Sequence, residues 1–77
     1  MSAIKFKLLD VRPVLAQGVE PYGEIRRRID ALIPGAGVTI VAPFLPAPLI
    51  EKLKSEGFLS RVERRADGAW AVYFWKE

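Results

Sequence analysis

The order of its helix and strand patterns places this 77-residue chain in the α+β class, as a two-layer sandwich: a four-stranded mixed sheet with two helices on one face. Two segments repeat apolar residues at helical spacing, and each lies between segments with the alternation or the β-branched composition of a strand. The pair Asp67-Gly68, a strong hairpin turn, separates the last two strand segments. The predicted order is therefore β-α-β-α-β-β, and we expect residues 1–77 to form one domain.

The first strand and the loop after it are predicted within residues 4–19. Apolar and charged residues alternate over residues 4–11, which predicts a half-buried strand at the edge of the sheet. Its apolar side holds Ile4, Phe6 and Leu8, and its other side holds Lys5 and Lys7. Residues 12–19 contain a proline and a glycine, so we predict a loop there.

The first helix is predicted to begin at Pro21, which suits the first helical position, and to end before the Pro-Gly pair at 34–35. Its apolar face consists of Tyr22, Ile25, Ile29, Leu32 and Ile33. The three arginines at 26–28 have acidic residues at ion-pair spacing, so we interpret them as a solvated surface. Residues 38–42 are apolar on both sides and predict a central strand.

The second half of the chain predicts one helix and a hairpin. A proline-rich connector at 43–48 precedes the helix, which Gly57 ends. The inward side of this helix holds Leu49, Ile50 and Leu53. Residues 59–66 carry charges on both sides and predict an edge strand, whereas residues 69–75 are apolar on both sides and predict an interior strand. Right-handed crossovers then give the sheet order 1-2-4-3, with strand four antiparallel.

Histidine and cysteine are absent, which removes the commonest general base, the commonest nucleophile and most zinc ligands. We therefore expect no enzymatic activity, no metal and no cofactor. The net charge of +3 permits nucleic-acid binding without requiring it. No stretch is long and apolar enough to cross a membrane, and the first residues lack the pattern of a signal peptide, so we expect a cytoplasmic protein.

Several short motifs follow one another in the order of a known family. They are Leu9-Asp10-Val11-Arg12, Asp30-Ala31-Leu32-Ile33-Pro34-Gly35, Ala42-Pro43-Phe44, Pro48-Leu49 and Gly57-Phe58. Together with the proline that opens the first helix, they resemble the TusA-like sulfur-carrier superfamily. Within it they resemble an uncharacterised bacterial branch that carries only a domain-of-unknown-function label. The resemblance covers roughly residues 8–76 and implies the same sandwich fold.

The resemblance also implies that this chain lacks the residue needed for the reaction of the sulfur carriers. In the sulfur carriers a Cys-Pro pair opens the first helix, and the cysteine carries a persulfide, because backbone N–H groups and the helix dipole stabilise a thiolate there. This chain has Glu20-Pro21 instead, and nine residues separate Asp10 from Glu20, more than in the sulfur carriers. Because a carboxylate cannot hold a sulfane sulfur, we expect no persulfide transfer.

Five candidate binding residues are predicted near the starts of the two helices: Asp10, Arg12, Glu20, Pro21 and Phe44. Glu20 is either an anionic recognition group or a carboxylate that caps the helix N-terminus. Asp10 and Arg12 either bind a ligand or form a pair that braces the following loop. Phe44 follows a central strand, where it either grips a peptide or small anion or plugs the rim of the core.

Strand four predicts aromatic side chains on both faces of the sheet. One face holds Trp70, Val72 and Phe74, and the other holds Ala71, Tyr73 and Trp75. An aromatic patch on the face without helices is typical of an interface, so we expect a protein partner or a homodimer there, with Tyr73 and Trp75 as contacts. The alternative is single-stranded nucleic acid stacked on these rings, with phosphates neutralised by Lys5, Lys7 and the arginines of strand three; Glu63 disfavours it. The favoured function is a non-catalytic accessory domain for protein recognition, with nucleic-acid or small-anion binding as the alternative.

Overall fold

In the computed structural model of the protein, which describes residues 4–77, a four-stranded sheet carries three helices on one of its faces. The strands are β1 (Lys5–Asp10), β2 (Ala36–Ala42), β3 (Leu59–Arg64) and β4 (Trp70–Trp75). The helices are α1 (Arg12–Ala16), α2 (Tyr22–Asp30) and α3 (Ala47–Ser55). The sheet order is β1-β2-β4-β3, with β1 parallel to β2 and β4 antiparallel to both of its neighbours. The predicted fold class and strand order are therefore confirmed.

The core lies between the sheet and the helices. From β2 and β4 it receives the alternate residues Val38, Ile40, Ala42, Val72 and Phe74. From α2 and α3 it receives Ile25, Ile29 and Leu53, all of which are buried. Because side chains alternate along a strand, this packing places Ala71, Tyr73 and Trp75 on the opposite face, called the open face below.

The segment predicted as a loop at 12–19 contains the short helix α1, a third helix that the sequence prediction missed; the two predicted helices are present as α2 and α3. Pro13 occupies the first turn of α1, where its missing N–H costs nothing. The amide of Leu15 donates to the carbonyl of Val11 at 3.0 Å, and Gly18 ends the turn with a φ of 76°. Leu15 packs against the core, which is the apolar contact that stabilises so short a helix.

The boundaries of several elements also differ from the sequence predictions. Helix α2 ends at Asp30, three residues before Ile33, and the amide of Leu32 then donates to the carbonyl of Ile29 in a turn. Helix α3 begins at Ala47 and includes Pro48 in its first turn, which proline tolerates. Strand β3 ends at Arg64, and the hairpin loop is closed by the Arg65 amide donating to the Ala69 carbonyl at 2.8 Å.

The arginine run on α2 is a network of surface ion pairs, as predicted. Arg26 pairs with Asp30 at 2.7 Å. It also pairs at 2.6 Å with Glu56, the residue that immediately follows α3. Glu24 pairs with both Arg27 and Arg28. The bonds from Arg26 lower the pKa of the Glu56 carboxyl below its usual range. Among the residues that the structure describes, no helix is long and apolar enough to cross a membrane.

Candidate binding site

An open cleft of about 390 Å³ lies at the end of the sheet where β2 finishes. Its walls come from α1, from the N-terminal ends of α2 and α3, and from the connector between β2 and α3. The apolar part of the lining includes Val11, Leu15, Ile25, Ile40, Ala42 and Leu49. Because these residues also belong to the core or pack against it, the cleft is an opening into the apolar interior.

Three of the predicted binding residues, Glu20, Pro21 and Phe44, line this cleft together. Glu20 immediately precedes the N-cap residue Pro21, and its Oε1 accepts a hydrogen bond of 2.7 Å from the amide of Tyr22. The carboxylate therefore satisfies one of the free N–H groups at the start of α2. Its second oxygen, Oε2, makes no hydrogen bond within residues 4–77.

Phe44 does not plug the rim of the core, because 53% of its surface is exposed. Its neighbour Leu45 is 42% exposed. The connector is anchored on both sides of Leu45: Phe44 and the buried Pro46 line the cleft, and the amide of Ala47 donates to the carbonyl of Leu45 at 2.9 Å. Two large apolar side chains are thus kept at the surface by a short, proline-rich segment with few accessible conformations.

Asp10 and Arg12 lie at the same end of the sheet but do not line the cleft. Arg12 donates from Nη2 to Asp10 at 2.7 Å and from Nη1 to Asp67 in the β3–β4 loop at 3.1 Å. The Arg12 amide also donates to Asp10 at 3.0 Å, which fixes the turn from β1 into α1. The side-chain hydrogen bonds from Arg12 lower the pKa of Asp10 below its usual range. The pair therefore braces the chain, one of the two roles considered for it.

Tyr73 and Trp75 lie on the open face, where both rings pack edge-to-face with Phe6 from β1. The ring centroids are 5.3 Å apart for Phe6 and Tyr73, and 6.0 Å apart for Phe6 and Trp75, with perpendicular planes in both pairs. Phe6 is 38% exposed and Leu8 is 61% exposed. The apolar side of β1 is therefore on the open face and not under the helices, and of β1 it is Leu9 that packs against the core.

The two lysines of β1 lie on the helix side of the sheet, opposite the aromatic cluster. They line a groove together with Leu32 and Val38, two residues of the helix side. The hypothesis that single-stranded nucleic acid stacks on Tyr73 and Trp75 while Lys5 and Lys7 neutralise its phosphates requires all four on one face. The structure contradicts this requirement. Phe6 lies on the open face with Tyr73 and Trp75, and its strand neighbours Lys5 and Lys7 therefore point to the other face.

Sequence reasoning missed the contributions of Leu15 and Lys52 to the cleft. Leu15 belongs to the unpredicted helix α1, and the signal for that helix was Pro13 followed by three apolar residues. Lys52 lies one turn into α3 and pairs with Glu56 at 3.5 Å. Within residues 4–77, no three acidic side chains lie close enough together to hold a metal ion.

A comparison with protein-family models agrees with a fold that extends over nearly the whole chain. The model described as an uncharacterized conserved protein (DUF2249) matches residues 8–76. Neither a curated protein nor a solved structure matches the chain.

Proposed function

We propose that this chain, which belongs to the DUF2249 family of uncharacterized conserved proteins, is a non-catalytic recognition domain that binds an apolar segment of a partner protein in the cleft. The observation that carries the proposal is the composition of the cleft lining. Eleven of its thirteen residues are apolar or aromatic, and the two charged ones are Glu20 and Lys52. A lining of this kind gains free energy by covering apolar surface and offers few groups for chemistry.

The size of the cleft favours side chains over a large cofactor. Ligand pockets commonly run from roughly 300 to 1,000 Å³. At about 390 Å³ this cleft lies near the lower end, which suits one or two apolar anchors of a peptide. Phe44, which lines the cleft and is 53% exposed, extends the apolar surface that a partner segment can cover.

The two charged residues of the cleft lining indicate which charge the partner segment carries. Lys52 is already paired with Glu56, whereas Glu20 makes no ion pair within the described residues. Oε2 of Glu20 is therefore free to accept a hydrogen bond from a cation. We accordingly propose a partner segment in which a Lys or Arg flanks the apolar anchors.

The fold is proposed to be that of the TusA-like sulfur carriers, with their reaction lost. Supporting this are the order of strands and the position of Glu20-Pro21 at the start of α2, where those carriers place a Cys-Pro pair. Since the chain has no cysteine, it cannot carry a persulfide. Mass spectrometry of the protein purified without reductant is expected to give the mass of the unmodified polypeptide; an added sulfane sulfur contradicts the proposal.

Photo-crosslinking tests the recognition function directly. A photoreactive phenylalanine analogue replaces Phe44 in one variant and Ile33 in a matched control. Ile33 is 67% exposed and does not line the cleft. Irradiation in the native host is expected to attach one partner protein to position 44 and not to position 33. Equal labelling at both positions, or none at position 44, contradicts the proposal.

A second copy of the chain is proposed as the occupant of the open face. Four strands about 4.8 Å apart, with six residues at about 3.3 Å each, give a face of roughly 380 Å² in projection. Stable interfaces bury about 800 Å² of accessible surface on each partner, so this face supports a weak homodimer. Sedimentation equilibrium is expected to show self-association that Trp75→Glu abolishes and Ile33→Glu does not; a monomer at all concentrations contradicts it.

A further inference from the structure

A groove of about 290 Å³ lies between the edge strand β1 and the end of α2, on the helix side of the sheet. It is distinct from the apolar cleft, and the two share no lining residue. Three of its eight lining residues are cations, Lys5, Lys7 and Arg28, and none is acidic. We propose that this groove binds a small phosphate-type anion through these three side chains.

Lys5 and Lys7 come to the same side of the groove because they are two residues apart on one strand. Their Cα atoms are separated by about 6.6 Å, twice the rise per residue. Two flexible ammonium groups at this spacing can close around a single phosphate, each with three donors. The start of β2 also lines the groove, and the side chain of Ala36 there is only a methyl group, which leaves room for the anion.

The two lysines also stand out in the distribution of charge. Within residues 4–77, most cations meet a carboxylate or lie over an aromatic ring. Those that do neither are Lys5, Lys7, Lys54 and Arg61. Two of these four line one groove. Because a concave site lined by one sign of charge concentrates counter-ions, the groove attracts anions more strongly than either lysine alone.

Arg28 is positioned to supply the third contact. Its Nε donates to Oε2 of Glu24 at 3.0 Å, which orients the guanidinium. The two terminal nitrogens, Nη1 and Nη2, make no hydrogen bond within the described residues. A guanidinium held in this way presents a planar pair of donors that matches two phosphate oxygens.

Two ordinary explanations account for part of this arrangement. Carbonyl groups at the end of α2 favour a cation, which explains Arg28 in its last turn. Lysines on an edge strand discourage pairing with other chains, which explains why β1 carries lysines. Neither requires two lysines and an arginine to line the same groove without an acidic residue.

Titration monitored by ¹H–¹⁵N NMR tests the site, with inorganic phosphate and methyl phosphate as probes at pH 7.5 and constant ionic strength. The amides of Leu32, Ala36 and Gly37 are expected to shift and to saturate with at least one probe. Preference for inorganic phosphate identifies the free ion as ligand, and preference for methyl phosphate identifies a phosphomonoester. The double variant Lys5→Gln/Lys7→Gln is expected to weaken the binding about tenfold or more.

The matched control is Lys54→Gln/Arg61→Gln, which removes the same charge from outside the groove. It is expected to retain the dissociation constant within about twofold, because neither residue lines the groove and salt screens exposed charges that do not touch the anion. Far-ultraviolet circular dichroism confirms that both variants are folded. Shifts that do not saturate, or an equal loss of binding in both double variants, overturn the proposal and leave the lysines with edge protection alone.

Discussion

Position 37 has no side chain because the fold leaves no room for one. A Cβ atom on Gly37 would lie 2.5 Å from Cε1 of Phe6 and 2.8 Å from the backbone oxygen of Phe74. The ring of Phe6 covers this glycine and so reaches both Tyr73 and Trp75. A single missing methyl group thus makes the aromatic cluster of the open face possible.

Gly37→Ala is therefore expected to lower the free energy of unfolding by about 1–3 kcal/mol, since the backbone of β4 cannot move aside. The matched control is Gly23→Ala in α2, where an added Cβ meets nothing within 4 Å. That control is expected to gain about 0.5–1 kcal/mol from helix propensity. Urea unfolding measures both; equal effects of the two substitutions contradict the packing of Phe6 on Gly37.

The ion pairs around Arg12 predict how stability changes with pH. The side-chain hydrogen bonds from Arg12 lower the pKa of Asp10, and the Ala69 amide, followed by Arg12, lowers that of Asp67. A carboxyl whose pKa is lower in the folded state stabilises the fold above its unfolded pKa, near 4. This contribution is lost as the pH falls through the folded-state pKa.

Arg12→Gln is accordingly expected to lower the free energy of unfolding at pH 7. It is also expected to reduce the loss of that free energy between about pH 5 and about pH 2. Arg61→Gln serves as control, because Arg61 makes no ion pair within the described residues. Urea midpoints measured across the pH range decide the matter. The prediction fails if Arg12→Gln loses as much stability on acidification as the wild type and Arg61→Gln do.

At the scale of elements, the strands could be predicted from the sequence and the short helix could not. Strands β2 and β4 are apolar on both sides over six or seven residues, so they could only be central. Helix α1 has five residues, too few for a periodic pattern, and its stability comes from contacts of Leu15 that the sequence does not display. The alternation in β1 predicted which residues share a side, but not that this side is the open face.

Each longer helix depends on one fully buried anchor. Ile29 of α2 and Leu53 of α3 are both 1% exposed. Ile29→Ala is expected to lower the free energy of unfolding by about 2–4 kcal/mol, because the cavity it leaves cannot collapse. The control is Ile33→Ala, expected to change it by less than about 0.5 kcal/mol, since Ile33 is 67% exposed. If urea denaturation gives the two variants the same loss of unfolding free energy, the described burial of Ile29 and exposure of Ile33 are contradicted.

At the scale of the whole molecule, the sequence predicted where the cleft lies better than it predicted which residues line it. Glu20, Pro21 and Phe44 meet there because the carboxyl end of a central strand and the starts of two helices lie at one end of the sheet. The separation of Asp10 and Arg12 from the cleft could not be predicted, because their third partner, Asp67, is 55 residues away from Arg12. Long-range ion pairs leave no local pattern.

The central claim is that the apolar cleft recognises a partner protein, and quantitative capture from the native host tests it most directly. The wild type, Phe44→Ala, Glu20→Lys and the control Ile33→Ala are immobilised at equal density, and bound proteins are quantified by mass spectrometry. The account predicts one partner that the wild type and Ile33→Ala retain equally and that the two cleft variants lose by tenfold or more, as expected for an interface anchor. Recovery of the same proteins in the same amounts by all four would contradict it.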